Sequence, residues 1–280
     1  MDVIGNNKMN LNNTHMNIVT VFNYTDEEKY NMMFKTWLVS ILRNKTEVIK
    51  DIRILTKGLS QPVNDFIEWL NRDDIKVVIR DELKIKTRDP KAQHNIGFKL
   101  YNMCRETGPF IFLDVDMIVL RPLDDAVRAA EDGYIIGVNH QTIPKHTKQF
   151  SFKFINTGFL IVPEPELLDY EILTNTPLEH YCPGNDQRII YNYLMMNQDT
   201  YLHPLIDYGW NSCAGFKKRN SNGEIWSDGV PENHPIYILH YWEEFKPWNT
   251  PCPIYQEHEK FVKALKSPDD ITLPMTVVSL

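Results

Sequence analysis

Two carboxylates, Asp114 and Asp116, interrupt the apolar run FIFLDVDMIVL that starts at Phe110. Burying a lone carboxylate is costly unless it is paired or binds a metal ion. Spaced i and i+2 at the end of a strand, both side chains can point the same way. Such a pair offers hard oxygen ligands to Mg²⁺ or Mn²⁺, whose remaining positions suit water and phosphate oxygens. A D-x-D pair can equally cap a strand or turn. The ligand reading is favoured here because the run closes on a second acidic pair, Asp124-Asp125.

The elements that must position this pair alternate. Residues 17–23 form a β-rich run, followed by a helical stretch over about 26–42. Short strands are expected at 52–56 and 75–79, with a helix near 63–70 between them. A helix over about 90–106 closes at Gly108-Pro109, and 110–113 reads as a strand buried on both faces. Further strands are expected at 134–138 and 154–162, a helix at 185–196, and a last apolar run at 236–239. Strands alternating with helices predict an α/β fold with helices on both faces of the sheet. In open sheets of this kind ligands bind at the carboxyl ends of the strands, where Asp114 and Asp116 fall. No Gly/Ser linker divides the chain, so the reading is a flexible arm at 1–16, one domain at 17–265 and an extended tail at 266–280.

The chain has 280 residues, 42% of them apolar and 24% charged, with a net charge of −7. That balance argues against a nucleic acid or an anionic membrane as principal partner, since both select basic surfaces. No stretch approaches the roughly 20 apolar residues of a membrane span, and the polar, Asn-rich start lacks a secretory h-region. Cys104, Cys182, Cys213 and Cys252 form no CxxC pair, which predicts reduced thiols in a cytoplasmic protein and no zinc site. On that reading the Asn-x-Thr triplets at Asn12, Asn23 and Asn44 carry no glycan.

Several segments together carry a resemblance: Lys99-Leu100-Tyr101, FLDVD ending at Asp116, LRPLDD ending at Asp125, FINTGF around Asn156, Gly184-Asn185-Asp186-Gln187, and LHYWEEFKPW from Leu239 to Trp248. In this order they resemble glycogenin and the family 8 glycosyltransferases, retaining enzymes of the GT-A fold, over about residues 17–250. The resemblance implies a single Rossmann-like mixed sheet flanked by helices. It implies transfer of a hexose-type sugar from a UDP-sugar, UDP-glucose as first guess, to a glycan or protein acceptor. Asp114, Asp116 and His240 would hold Mn²⁺ or Mg²⁺; a neutral imidazole beside two carboxylates suits Mn²⁺. Lys246 would reach the donor diphosphate, with Lys99 near the donor. Asn156 would face the donor sugar, and Asp186 would stand beside the reacting sugar with Gln187 next to it. Thr20, Phe22, Asn23 and Tyr30 would border the uracil and ribose, and Val115, between the two carboxylates, would also contact the donor. For Phe22, core packing competes with stacking on the base; for Asp186, a helix N-cap is the competing role. A homodimer is compatible with this reading.

Two departures stand out. Glu243 occupies the place of the family's usual glycine in the closing motif, and Pro183 that of a carboxylate three before Asp186. The loop 217–229 contains no Tyr, so self-glucosylation there is not supported. The alternatives are a catalytically impaired nucleotide-sugar-binding protein and a nucleotide-sugar hydrolase. A nucleotidyltransferase is disfavoured, because VFNYTDEEKY after the first strand lacks the glycines of a phosphate loop.

Overall fold

The computed structural model describes residues 15–80, 93–129, 135–139, 155–177, 185–196, 208–213, 217–219, 225–227, 236–242, 245–249, 252–273 and 275. The segment Met16–Val21, β-branched from Ile18 onward, is strand β1. It is followed by helix α1 (Glu28–Asn44), β2 (Ile49–Thr56), α2 (Gln61–Leu70) and β3 (Ile75–Ile79). Next come α3 (Gln93–Met103), β4 (Phe110–Leu113), β5 (Met117–Val119), α4 (Asp124–Ala129), β6 (Ile136–Asn139) and β7 (Ile155–Val162). The remaining elements are α5 (Tyr170–Asn175), α6 (Asn185–Met196), β8 (Ser212–Cys213), β9 (Lys217–Arg219), β10 (Ile225–Ser227), β11 (Ile238–His240) and α7 (Pro253–Ala264).

A six-stranded sheet in the order β3-β2-β1-β4-β7-β6 forms the centre. Strands β3, β2, β1 and β4 run parallel, while β7 is antiparallel to both β4 and β6. The mixed α/β architecture expected from the sequence is therefore present. One face carries Ile18, Ile52, Ile54, Ile111 and Leu113, packed in one cluster with Phe34, Trp37, Leu38 and Ile41 of α1. That i, i+3, i+4, i+7 spacing puts one stripe of α1 on the sheet. On the other face Val19, Leu55, Phe110 and Phe112 pack with Leu100 and Met103 of α3 and Ile190 and Leu194 of α6. Strand β4 is thus apolar at every position because it is covered on both faces.

A second sheet, β5-β11-β8, stands beside the first. Its antiparallel register sets His240 opposite Met117, and its parallel pairing sets His240 opposite Cys213. This small sheet was not foreseen from the sequence, because its strands of two or three residues are too short to show a period.

Two expectations need correction. Asp114 and Asp116 are not on a strand: β4 ends at Leu113, and the two carboxylates lie in the turn before β5. The turn, rather than strand alternation, brings them to one side. The chain after 266 is not simply extended either. Residues Pro268–Thr272 make a 3-10 turn that begins in a capping box between Ser267 and Asp270 and buries Ile271. Arg43 fastens it with hydrogen bonds of 2.7 Å to the carbonyls of Ile271 and Leu273. Nearly all of the arm at 1–16 lies outside the described residues, as does most of 274–280.

Candidate active site

In the six-stranded order, the sequence reverses direction at β1, whose neighbours are β2 and β4. At that switch point the carboxyl ends of adjacent parallel strands diverge and leave a crevice. A cleft of about 530 Å³ opens there, lined by residues 21–25 after β1, by Asp114, Val115 and Asp116 after β4, and by Tyr30, Met33, Lys99, Asp186 and Lys246. Its size falls within the range of small-molecule sites.

Two linked sets of charges build its floor. Lys99, 8% exposed, projects from α3 and donates to Asp114 Oδ1 at 3.1 Å and to Asp186 Oδ2 at 2.8 Å. Its ammonium lies 4.4 Å from the centre of the Phe112 ring, an added cation–π contact. Burial disfavours the charged lysine, but the two carboxylates outweigh it and raise the Lys99 pKa. Burial likewise opposes ionisation of Asp186; the Lys99 charge and hydrogen bonds from the backbone N–H groups of Asp186 and Gln187 overcome it and hold that carboxyl below its usual value. Thr157 Oγ1 stands 3.4 Å from Asp186 Oδ2.

In the second set, Asp116 lies between His240 Nε2, at 3.2 Å from its Oδ1, and the Lys246 ammonium on its Oδ2. Burial opposes its ionisation, but His240 and Lys246 keep the Asp116 carboxyl well below the ordinary range. Asp114 moves the other way: burial raises its pKa, and the neighbouring Asp116 adds to the rise although Lys99 opposes both. The two carboxylates of the pair are thereby unequal, as two close anions must be.

Asp114, Asp116 and His240 can each offer one ligand atom, and these atoms lie within 4.8 Å of one another. Gly158 on β7 makes the approach possible. A Cβ there would stand 2.5 Å from His240 Cε1, 2.7 Å from Met117 Cε and 2.9 Å from Asp114 Oδ2. The Gly158 carbonyl also accepts from Asp114 N at 2.9 Å. Two carboxylates with an imidazole are a fitting donor set for Mn²⁺ or Mg²⁺.

Of the residues named from sequence, Phe22, Asn23, Tyr30, Lys99, Asp114, Val115, Asp116, Asp186 and Lys246 line the cleft. His240 is 3% exposed and sits behind Asp116. Thr20, Asn156 and Gln187 are buried and are not among the lining residues. Asn156 Oδ1 instead accepts from Gly158 N and from Asn211 Nδ2, each at 2.9 Å. Phe22 stacks on Phe34, with ring centres 4.6 Å apart, so its ring belongs to the core. The sequence reading missed Val21, Tyr24, Thr25 and Met33. Tyr24, 59% exposed, is the exposed aromatic at the cleft; a Tyr directly after Asn23 in a loop leaving β1 was the available signal. Asn23 itself is held through Oδ1 by Lys57 N at 2.9 Å. Glu243 and Pro183 lie outside the described residues. Among the described cysteines, Cys104 and Cys252 are free, and no described helix is long and apolar enough to cross a membrane.

No protein-family model matches this sequence, and no curated protein sequence does. Solved structures match in shape. The glycosyltransferase GlyE of Streptococcus pneumoniae TIGR4 superposes with a TM-score of 0.62 at 17% identity, over 93% of this chain and 62% of that one. The present chain therefore spans less than two thirds of GlyE. The galactosyltransferase LgtC, solved with donor and acceptor sugar analogues, gives a TM-score of 0.59 at 15% identity over 90% of this chain and 97% of its own. Mouse xyloside xylosyltransferase 1 gives 0.54 at 14% identity, over 81% and 97% of the two chains. At these identities the likeness shows the fold: a GT-A type sheet flanked by helices, shared with glycosyltransferases.

Proposed function

We propose that this chain is a retaining glycosyltransferase of the glycogenin-like kind. It would transfer a hexose-type sugar, glucose as first guess, from a UDP-sugar to a glycan or protein acceptor. The observation that carries the reading is the convergence of Asp114, Asp116 and His240 at the switch point of a GT-A sheet, with the two carboxylates on a cleft of nucleotide-sugar size and His240 directly behind Asp116. Charge supports it. Asp114, Asp116 and Asp186 face Lys99 and Lys246, which leaves about one net negative charge in that set when His240 is neutral. One divalent cation would turn the floor positive and complementary to a diphosphate.

Asp114, Asp116 and His240 would hold that cation, whose chemistry is to neutralise the diphosphate and make it a better leaving group. Lys246, already against Asp116, would add a point charge on the diphosphate. Tyr24 offers the exposed ring for the base, in place of Phe22. Asp186, kept ionised by Lys99, would orient sugar hydroxyls and stabilise the positive charge that develops at the anomeric carbon. The bond from that carbon to the phosphate oxygen breaks and one to the acceptor oxygen forms on the same face. The released phosphate oxygen takes the acceptor proton.

The test is a panel of UDP-sugars with Mn²⁺, with and without oligosaccharide acceptors, read as UDP release and product mass. At least one donor should turn over, with retained anomeric configuration in the product. Release of free sugar alone would indicate a hydrolase. UDP binding without turnover of any donor would mark an impaired binding protein.

A further inference from the structure

The hydrogen bonds around His240 fix the identity of every atom in a buried chain that starts from a backbone group. Gly158 N–H can only donate, so the Asn156 side-chain atom 2.9 Å away must be its carbonyl oxygen. The Asn211 atom that meets this same oxygen at 2.9 Å must then be the amide nitrogen. The other end of the Asn211 amide is therefore oxygen, and it stands 2.9 Å from His240 Nδ1. An oxygen there accepts, so Nδ1 carries the hydrogen. Nε2, the nitrogen facing Asp116 Oδ1 at 3.2 Å, is then the one whose lone pair a cation would take, in place of a hydrogen shared with that carboxylate. Asn211, Asn156 and His240 are 1%, 5% and 3% exposed, so solvent does not compete for these contacts.

The fold supplies this arrangement. Asn211 immediately precedes β8, and the parallel pairing of β8 with β11 brings it alongside His240. Trp210, next to it, stacks on Tyr237 with ring centres 3.9 Å apart, which anchors the backbone before the amide.

The geometry points to Asn211 as a positioning residue for the metal site, with Asn156 as the group that sets its orientation. The inference rests on the proposed use of His240 as a ligand. Asn211 holds the imidazole in one tautomer and one plane, and the partner of a ligating histidine's other nitrogen governs its quality as a ligand. This gives Asn156 a place behind the metal site rather than against the donor sugar.

Binding of Mn²⁺ to the 280-residue chain, followed by the EPR signal of free Mn²⁺, tests the inference without turnover. Asn211→Leu keeps the volume and removes both polar ends; Mn²⁺ affinity should fall about ten- to a hundredfold. Raising Mn²⁺ should restore turnover of Asn211→Leu, whereas damage to the fold would depress it at every concentration. If Asn211→Leu does not fold, Asn211→Ala, which only deletes atoms, replaces it with the same expected loss. Parental affinity in the Leu or Ala variant overturns the inference. A parent chain that binds no Mn²⁺ overturns the metal reading itself, and the parent measurement separates that failure from one seen in the variants alone.

Discussion

Asp186 heads α6 with its carboxylate 2.8 Å from the Lys99 ammonium and its side chain on the cleft. A helix cap would need only a neutral acceptor, and Asn serves that role about as well as Asp. A group that stabilises developing positive charge needs the negative charge itself. Asp186→Asn should therefore lower sugar transfer by orders of magnitude while UDP affinity stays within a few fold, measured by steady-state kinetics beside calorimetric titration of UDP. Turnover within twofold of the parent would remove Asp186 from the catalytic set. At this scale the sequence was informative for charged groups: a carboxylate inside an apolar run must be compensated, which pointed to Asp114 and Asp116, while the family resemblance added His240 and Lys246, and the four do meet in space. It was less informative for neutral ones. Asn156 stands in a recognisable motif, yet its amide faces Gly158 and Asn211, a partner 55 residues away. Asn211 carried no signal at all, since a lone Asn after an aromatic residue is unremarkable until β8 and β11 pair.

Strand β7 approaches the site so closely that Gly158 leaves no room for a methyl group. Gly158→Ala should lose about 1–3 kcal/mol of stability through overpacking and more than tenfold in Mn²⁺ affinity, because the new Cβ meets both His240 and Asp114. Gly137→Ala on neighbouring β6 is the control. Its Cβ would meet Ile155 Cβ at 3.3 Å and no proposed ligand, so stability alone should suffer. Unchanged Mn²⁺ affinity in Gly158→Ala, read from EPR titration, contradicts this account of β7. At the far edge of the sheet, Asp74 leads into β3 between Arg72, at 2.9 Å, and Lys45, at 3.0 Å. Hydrogen bonding to Arg72 is the largest of the influences that lower its pKa from 3.8 to about 2, against the opposing effect of burial. A folded value below the unfolded one means the stabilisation is complete above 3.8 and fades as pH falls from there toward about 2. Asp74→Asn should thus melt below the parent near pH 6, by a gap that narrows once pH drops under 4 in thermal scans; a gap independent of pH speaks against the ion pairs. Elements with a clear period were legible: β1, β2, β3, β4, β7 and α6 lie within a few residues of their expected places. Helix α7 was not among the expected elements although Ile254, Tyr255, His258 and Val262 are its buried residues, because charged residues interrupt its apolar stripe. Helices α4 and α5, of six residues each, are too short to display a helical stripe.

The whole molecule places its cleft where a doubly flanked sheet naturally opens, at the carboxyl ends of β1 and β4. The fold class was legible because alternating strands and helices leave few topologies open. The small sheet that delivers His240 was not, since its pairings join Met117–Val119 to residues more than a hundred positions later. On the proposed function, the cleft takes a nucleoside diphosphate through a cation held by Asp114, Asp116 and His240. Thermal unfolding of the full chain with UDP tests it most directly, in Mn²⁺ and in excess EDTA, with Asp116→Asn in parallel. A ligand at a hundred times its Kd adds about 2.7 kcal/mol of stability. UDP with Mn²⁺ should raise Tm by several degrees in the parent chain, and EDTA or Asp116→Asn should abolish that rise. An equal rise in EDTA, or in Asp116→Asn with Mn²⁺, would contradict the claim.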